Sequence, residues 1–172
     1  LIRFQGRKQE LAALYKFLED DRSLLWMAVT GDAGSGKSKL LYHFLQEISC
    51  LPEWKAIWLR RNACIQCNQF TEWNYPCNLV FVIDYAGIAA EEIGAWMERL
   101  ENSRYRPEKI RFVLLERETI HKNREMELEP IWYQNLKGNR IRSECIERFL
   151  YQSSSESAFL ELSGLSDEDL AQ

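Results

Sequence analysis

Eight consecutive residues, Gly31–Ser38 (GDAGSGKS), match the pattern G-x-x-x-x-G-K-[ST] at every position. The glycines allow the loop to wrap with its backbone N–H groups pointing inward, which creates an anion-binding nest at a helix N-terminus. We expect Lys37 to reach the β- and γ-phosphates of a nucleotide and the Ser38 hydroxyl to ligate Mg²⁺. The predicted nucleotide contacts cover the loop and the residue after it: Gly31, Asp32, Ala33, Gly34, Ser35, Gly36, Lys37, Ser38 and Lys39.

A phosphate-binding loop of this kind works with a second carboxylate, which holds the metal ion from the end of a neighbouring buried strand. Asp84 has this position because it follows the apolar run LVFVI at 79–83. An aspartate that ends a strand is by itself an ordinary turn former, but beside the loop we interpret it as a ligand of the metal. The next residue is Tyr85, where many ATPases with such a loop carry an Asp or Glu that polarises the attacking water.

A further candidate, Arg117, follows the strand-like run IRFVLL at 110–115. The carboxyl ends of parallel strands face the ligand crevice in sheets of this type, so Arg117 could sense a γ-phosphate. The alternative is a surface arginine that is paired with Glu116 or Glu118. Together with the lysine and aspartate above, Arg117 completes the predicted catalytic set.

Cys64, Cys67 and Cys77 have a spacing that suggests a zinc site. The usual fourth ligand is missing nearby, because the two histidines of the chain are His43 and His121. We therefore interpret these cysteines as free thiols in a loop between two elements, with zinc as the alternative.

The segments around these residues alternate between helical and strand-like patterns, which is typical of a parallel α/β sheet. The apolar run LLWMAVT at 24–30 predicts a strand buried on both faces, and the apolar stripe within 37–48 predicts an amphipathic helix directly after the loop. Further strands are predicted at 56–59, 79–83, 110–115 and 159–162, and further helices around 11–18, 93–100 and 146–150, with Pro130 interrupting another helical segment.

Composition limits the classes of protein that fit. The chain of 172 residues and 20.4 kDa has the size of one domain. Its net charge of −4 argues against a nucleic-acid-binding surface as the main function, and its longest apolar run, Leu24–Val29, is too short to cross a bilayer. An odd number of cysteines, five, favours a reducing cytoplasm. Because the chain lacks both an initial Met and a signal peptide, we expect a piece of a longer cytoplasmic protein.

The sequence resembles the STAND NTPases, signal-transduction ATPases related to the AAA+ group. Phe4–Glu10 (FQGRKQE) is similar to the hydrophobic-Gly-Arg-x-x-Glu opening of that family, and Phe159–Asp169 (FLELSGLSDED) is similar to its fifth strand and the start of its helical subdomain. Bacterial members with DYA after the metal-binding strand are especially similar to residues 84–86. The resemblance implies that Phe4, Gly6 and Arg7 lie on the adenine side of ATP or ADP.

The resemblance also implies a fold and a division of the chain. The expected fold is a three-layer α/β fold with a mainly parallel five-stranded sheet in the order 5-1-4-3-2 and helices on both faces. We expect a single nucleotide-binding domain over residues 1–172. Within it, residues 1–22 are the adenine-side segment and first helix, residues 23–162 the sheet core, and residues 163–172 the start of a helical lid, in which Ser166 is a natural N-cap.

The function expected from this resemblance is that of an ATP-binding, slowly hydrolysing switch. Such a domain would drive nucleotide-dependent oligomerisation and signalling with the other domains of a larger bacterial protein, in regulation or defence against phage. Partners other than the nucleotide would be further copies of the chain, with no membrane and no direct nucleic acid.

Two other functions stay open. One is a small-molecule kinase, in which Arg99, Arg104 and Arg106 would belong to a phosphate lid. The other is an ATP-binding scaffold without turnover, which is suggested by Tyr85. A GTPase is disfavoured because the guanine-binding signature Asn-Lys-x-Asp does not occur in the chain.

Overall fold

The computed structural model describes residues 6–60, 76–103, 107–119, 129–152 and 159–164. Within these ranges the helices are α1 (Lys8–Glu19), α2 (Lys37–Ile48), α3 (Ala90–Glu101), α4 (Ile131–Lys137) and α5 (Arg140–Phe149), with a 3₁₀ helix at Ala86–Ala89 before α3. The strands are β1 (Leu24–Thr30), β2 (Trp54–Leu59), β3 (Asn78–Asp84), β4 (Ile110–Leu115) and β5 (Leu160–Glu161). Of the described helices, none has the length and apolarity of a membrane span. The predicted lid helix that begins at Ser166 lies outside the described residues.

The strands form one parallel sheet in the order β2-β3-β4-β1-β5. This is the predicted order 5-1-4-3-2 counted from the other edge, so the predicted fold class is confirmed. β1 pairs with β4 over its length, from Leu24 opposite Ile110 to Val29 opposite Leu115. On its other side only the end of β1 is paired, with Thr30 opposite Glu161 of β5. The carboxyl ends of β1, β3 and β4 therefore meet at one edge of the sheet.

Every residue of β1 is buried, as its continuous apolar run predicts. Leu24, Trp26 and Ala28 face a core that is shared with α3, α4 and α5. Leu25, Met27 and Val29 face a second core that is shared with α1 and α2. Because successive strand residues point to opposite faces, one strand anchors both helical layers, and the three-layer arrangement follows.

An aromatic cluster attaches α4 and α5 to the sheet. The ring of Trp26 lies 5.9 Å from those of both Tyr133 and Phe159, and its Nε1 donates a hydrogen bond to the carbonyl of Ile146 in α5 at 2.7 Å. Pro130 acts differently from the prediction: it is the N-cap of α4, and its carbonyl accepts the N–H of Tyr133 at 2.9 Å. A proline starts a helix well because the first N–H groups of a helix have no partner within it.

The charged side chain of Arg111 lies within strand β4 and is fully buried. Its guanidinium donates to the carbonyl of Phe17 at 2.9 Å, to that of Asp20 at 2.6 Å and to that of Arg22 at 3.0 Å. These carbonyls belong to the last turn of α1 and the residues after it, where the helix dipole is negative. Burial lowers the pKa of Arg111 to about 10, although the nearby Asp20 opposes this effect. Arg111 therefore fixes the end of α1 against the sheet.

We expect Arg111→Ala to lower the free energy of unfolding by about 3–5 kcal/mol, because it leaves buried carbonyls unpaired and opens a cavity. Urea unfolding measures this change. The matched control is Arg22→Ala, which removes the same charge from a half-exposed side chain that binds Asp20 at 3.0 Å; it should cost less than about 1 kcal/mol. Equal losses for the two variants would contradict the capping role of Arg111.

Candidate nucleotide-binding site

The loop between β1 and α2 has the geometry of a cradle for an anion. Gly31, Gly34 and Gly36 all have positive φ, at 139°, 86° and 90°, a conformation that other residues adopt rarely. A side chain at Gly34 or Gly36 would meet nothing within 4 Å, so the loop is open there. Gly36 is the N-cap of α2 and gives it no side-chain cap. The first N–H groups of α2 are therefore suited to phosphate oxygens.

Gly31 lies against the end of β5. The N–H of Leu162 donates to the carbonyl of Thr30 at 2.8 Å, which brings the two backbones close together. A Cβ atom at Gly31 would overlap the carbonyl oxygen of Leu162. This position needs glycine both for its φ and for the close approach of the neighbouring backbone.

Arg7 connects the N-terminal segment to the loop. Its Nη1 binds the Glu10 carboxylate at 2.8 Å, while its Nη2 donates to the carbonyl of Ser35 at 2.9 Å and to that of Ser163 at 2.5 Å. Its backbone is left-handed, with φ of 60°. The adenine-side contacts predicted for Gly6 and Arg7 stay a prediction, and Phe4 lies outside the described residues. The sequence did not reveal that Arg7 holds the loop itself.

Lys37 points back into its own loop. Its Nζ donates to the carbonyl of Gly31 at 2.6 Å and to that of Asp32 at 2.9 Å. Burial lowers the pKa of Lys37, as does the positive charge of Arg117, whereas Asp32, Asp84 and Glu116 oppose this shift. The ammonium therefore lies within the electrostatic influence of the residues at the ends of β3 and β4.

A crevice of about 490 Å³ opens at the carboxyl ends of β1, β3 and β4. The structure brings six predicted residues together in it, namely Ala33, Gly34, Lys37, Ser38, Asp84 and Arg117. The other residues that line it are Tyr85, Ile88, Leu115 and Glu116. Lys39 is exposed on the first turn of α2 and is not among the lining residues. A hydroxyl and a carboxylate in one crevice are oxygen donors of the type that Mg²⁺ prefers, so these residues fit a magnesium nucleotide.

Asp84, the last residue of β3, and Tyr85, the residue after it, both line this crevice. The N–H of Tyr85 donates to Asp84 Oδ1 at 3.0 Å. Tyr85 itself is left-handed, with φ of 54°, and is exposed over about half of its surface. A non-glycine residue in this conformation is uncommon, and here it begins the 3₁₀ helix at Ala86–Ala89.

Glu116 is the lining residue whose role the sequence did not reveal. Its carboxylate accepts the backbone N–H of Gly87 through Oε1 and that of Arg117 through Oε2, the latter at 3.3 Å. Burial raises the pKa of Glu116, and the charges of Glu118 and Asp84 add to the rise, whereas its two N–H donors oppose it. Its position in the sequence could have indicated this role, because Glu116 directly follows the buried strand β4, just as Asp84 ends the buried strand β3.

The zinc alternative is not tested, because Cys64 and Cys67 lie outside the described residues. Cys77 directly precedes β3, is half-buried and packs against the core.

Arg104 and Arg106, which the kinase alternative places in a phosphate lid, also lie outside the described ranges.

The parallel sheet, the glycine loop and the crevice at the strand ends define the class of this protein as a P-loop NTPase domain. The sequence profile of the family described as Novel STAND NTPase 5 matches residues 5–129. The chain therefore belongs to this STAND family, as its opening and its loop predicted. No curated protein matches the chain in sequence.

Two solved structures are similar in fold. Cdc6p from Pyrobaculum aerophilum matches with a TM-score of 0.58 and 10% identity, over 99% of this chain and 48% of its own. The Aeropyrum pernix ORC1 protein, solved in complex with DNA, matches with a TM-score of 0.58 and 12% identity, over 98% of this chain and 48% of its own. At these identities the likeness concerns the fold alone, and the chain spans about half the length of either relative.

We expect Gly31→Ala to destabilise the domain by roughly 2–4 kcal/mol in urea unfolding, because the new methyl group meets both backbone strain and the Leu162 carbonyl. Gly34→Ala is the control, since Gly34 also has a positive φ, of 86°, but open space around it; we expect it to cost about 1–2 kcal/mol. Equal losses would show that backbone strain, and not the contact with β5, requires glycine at residue 31.

Proposed function

We propose that this domain is a switch that binds ATP with Mg²⁺ in the crevice at the ends of β1, β3 and β4 and hydrolyses it slowly. The observation that supports this most is the meeting of Lys37, Ser38, Asp84 and Arg117 in one crevice, in a chain of the STAND family. The family match also favours a switch over a small-molecule kinase.

In the proposed complex the phosphates of ATP would be bound by groups of the loop, of α2 and of the segment after β4. The N–H groups at the start of α2 and the Lys37 ammonium would hold the phosphates, since charge-assisted hydrogen bonds are the stronger ones. Two of the three N–H donors of Lys37 bind loop carbonyls, so a phosphate must use the third or displace a carbonyl. Arg117, which is exposed at the rim, would bind the γ-phosphate and report its presence.

Ser38, in the first turn of α2, and Asp84, at the end of β3, would hold the metal ion. When bound, Mg²⁺ supplies positive charge that neutralises phosphate oxygens during transfer. The N–H of Tyr85 donates to one carboxylate oxygen of Asp84. That bond fixes the carboxylate orientation and leaves the other oxygen available to the ion.

The adenine would lie beside Phe4, Gly6 and Arg7. Because Arg7 binds both Ser35 of the loop and Ser163 after β5, this segment would join the base, the phosphates and the chain that leads toward the lid. We propose that the nucleotide state is passed on by this route, to drive oligomerisation and signalling in a larger cytoplasmic protein of bacterial regulation or anti-phage defence.

Lys37→Ala should weaken binding of ATP–Mg²⁺ by roughly 10–100-fold, because one charged hydrogen bond to phosphate is worth about 1.5–3 kcal/mol. Isothermal calorimetry on the 172-residue chain measures it. Lys55→Ala, which removes an equal charge from an exposed position on β2, should bind as the wild type does. Unchanged affinity in Lys37→Ala would refute the proposed phosphate site.

Hydrolysis by this domain alone should be slow, at single-turnover rates or below, because Tyr85 stands where many ATPases with such a loop carry an Asp or Glu that polarises the attacking water. Phosphate release should be lost in Asp84→Ala, which removes a metal ligand, and raised in Tyr85→Glu, which supplies a carboxylate. Rapid multiple turnover by the wild type that disappears in Asp84→Ala would refute the slow switch.

A further inference from the structure

Glu116 carries a second carboxylate in the crevice, and the proposed binding of ATP gives this carboxylate no role. Asp84 and Glu116 are the two carboxylate residues among the described residues that line this space. Asp84 is assigned to the metal ion, and the position after it is taken by Tyr85. A carboxylate that could accept a proton from water must therefore come from another element, and Glu116 follows β4 directly.

The position of Glu116 is fixed by hydrogen bonds to two neighbouring elements, β1 and the 3₁₀ helix. Its own N–H donates to the carbonyl of Val29 at the end of β1, at 3.1 Å, so its backbone lies next to the start of the phosphate loop. Its Oε1 accepts the N–H of Gly87 in the 3₁₀ helix. A side chain at Gly87 would lie 2.8 Å from Oε1 and 2.9 Å from the Cβ of Trp132 in α4. The glycine therefore makes room for the carboxylate.

We propose that Glu116 is the general base of the slow ATP hydrolysis, so this inference rests on the proposed function above. The oxygen of a water molecule attacks the γ-phosphorus, and the bond between that phosphorus and the bridging oxygen breaks. ADP leaves with the electron pair of that bond, and the proton of the water passes to a carboxylate oxygen of Glu116. The proton then returns to solvent, and the carboxylate is regenerated.

The surroundings of Glu116 suit this role. A carboxylate has lone pairs left after accepting one N–H on each oxygen, so both oxygens can still bind water. Burial, with the charges of Glu118 and Asp84, raises the pKa of Glu116 above that of an exposed glutamate, although the backbone N–H donors of Gly87 and Arg117 lower it. Because the two N–H donors also restrain the side chain, the proposal agrees with slow rather than rapid turnover.

Three variants of the 172-residue chain test the proposal. Glu116→Gln keeps the shape and the acceptor for the Gly87 N–H but accepts no proton, whereas Glu116→Ala removes both. Glu53→Gln is the matched control, since it makes the same charge change at an exposed residue that does not line the crevice. For each variant we would measure ATP–Mg²⁺ binding by calorimetry, thermal unfolding by circular dichroism, and single-turnover hydrolysis of γ-labelled ATP with protein in excess.

We expect Glu116→Gln to bind ATP within about threefold of the wild type and to lose at least about 10²-fold in hydrolysis, the usual contribution of a general base. Glu116→Ala should lose as much, and Glu53→Gln should stay within roughly twofold. Hydrolysis by Glu116→Gln near the wild-type rate, loss in Glu116→Ala alone, or a wild type that binds ATP without hydrolysing it would overturn the inference while leaving nucleotide binding intact. Failure of the wild type to bind ATP would instead refute the proposed function.

Discussion

The close approach of two backbone segments at Gly31 is the constraint on which the rest of the site depends. β5 pairs only with the end of β1, and the carbonyl of Leu162 occupies the space where any other residue at 31 would carry a side chain. The loop therefore leaves the sheet directly beside the chain that follows β5. Arg7 uses this proximity, because one nitrogen of its guanidinium reaches both Ser35 and Ser163. The position of the phosphate loop thus depends on segments from both ends of the chain.

Local patterns in the sequence were enough to predict the sheet and the main part of the site. A strand buried on both faces needs a continuous apolar run, and 24–30, 79–83 and 110–115 are such runs. Parallel strands align their carboxyl ends at one edge, so residues that follow these runs were expected to meet there. The structure does bring Asp84 and Arg117 into the crevice of the loop. The prediction for β2 covered only its last four residues, because the exposed Lys55 separates Trp54 from the apolar run that follows.

Residues that act through distant backbone groups left no comparable pattern. Arg111 and Arg7 bind carbonyl oxygens that are far away in sequence, and nothing in the spacing of neighbouring residues identifies such partners. A charged residue inside the apolar strand IRFVLL was the one visible sign of the capping role of Arg111. Glu116 was considered only as a partner for Arg117, because its contact with Gly87 depends on how the turn after β3 packs against the end of β4.

The two sides of the crevice present different groups, because both of its carboxylates lie at the ends of β3 and β4, where Arg117 also lies. The loop side presents Lys37 and the N–H groups at the start of α2, which favour anions. The ends of β3 and β4 present Asp84 and Glu116, which favour a metal ion or a proton. Burial raises the basicity of Glu116, while the N–H of Gly87 reduces it. Because Gly87 belongs to the 3₁₀ helix at Ala86–Ala89, the placement of this short helix directly after Tyr85 contributes to the proton affinity of Glu116.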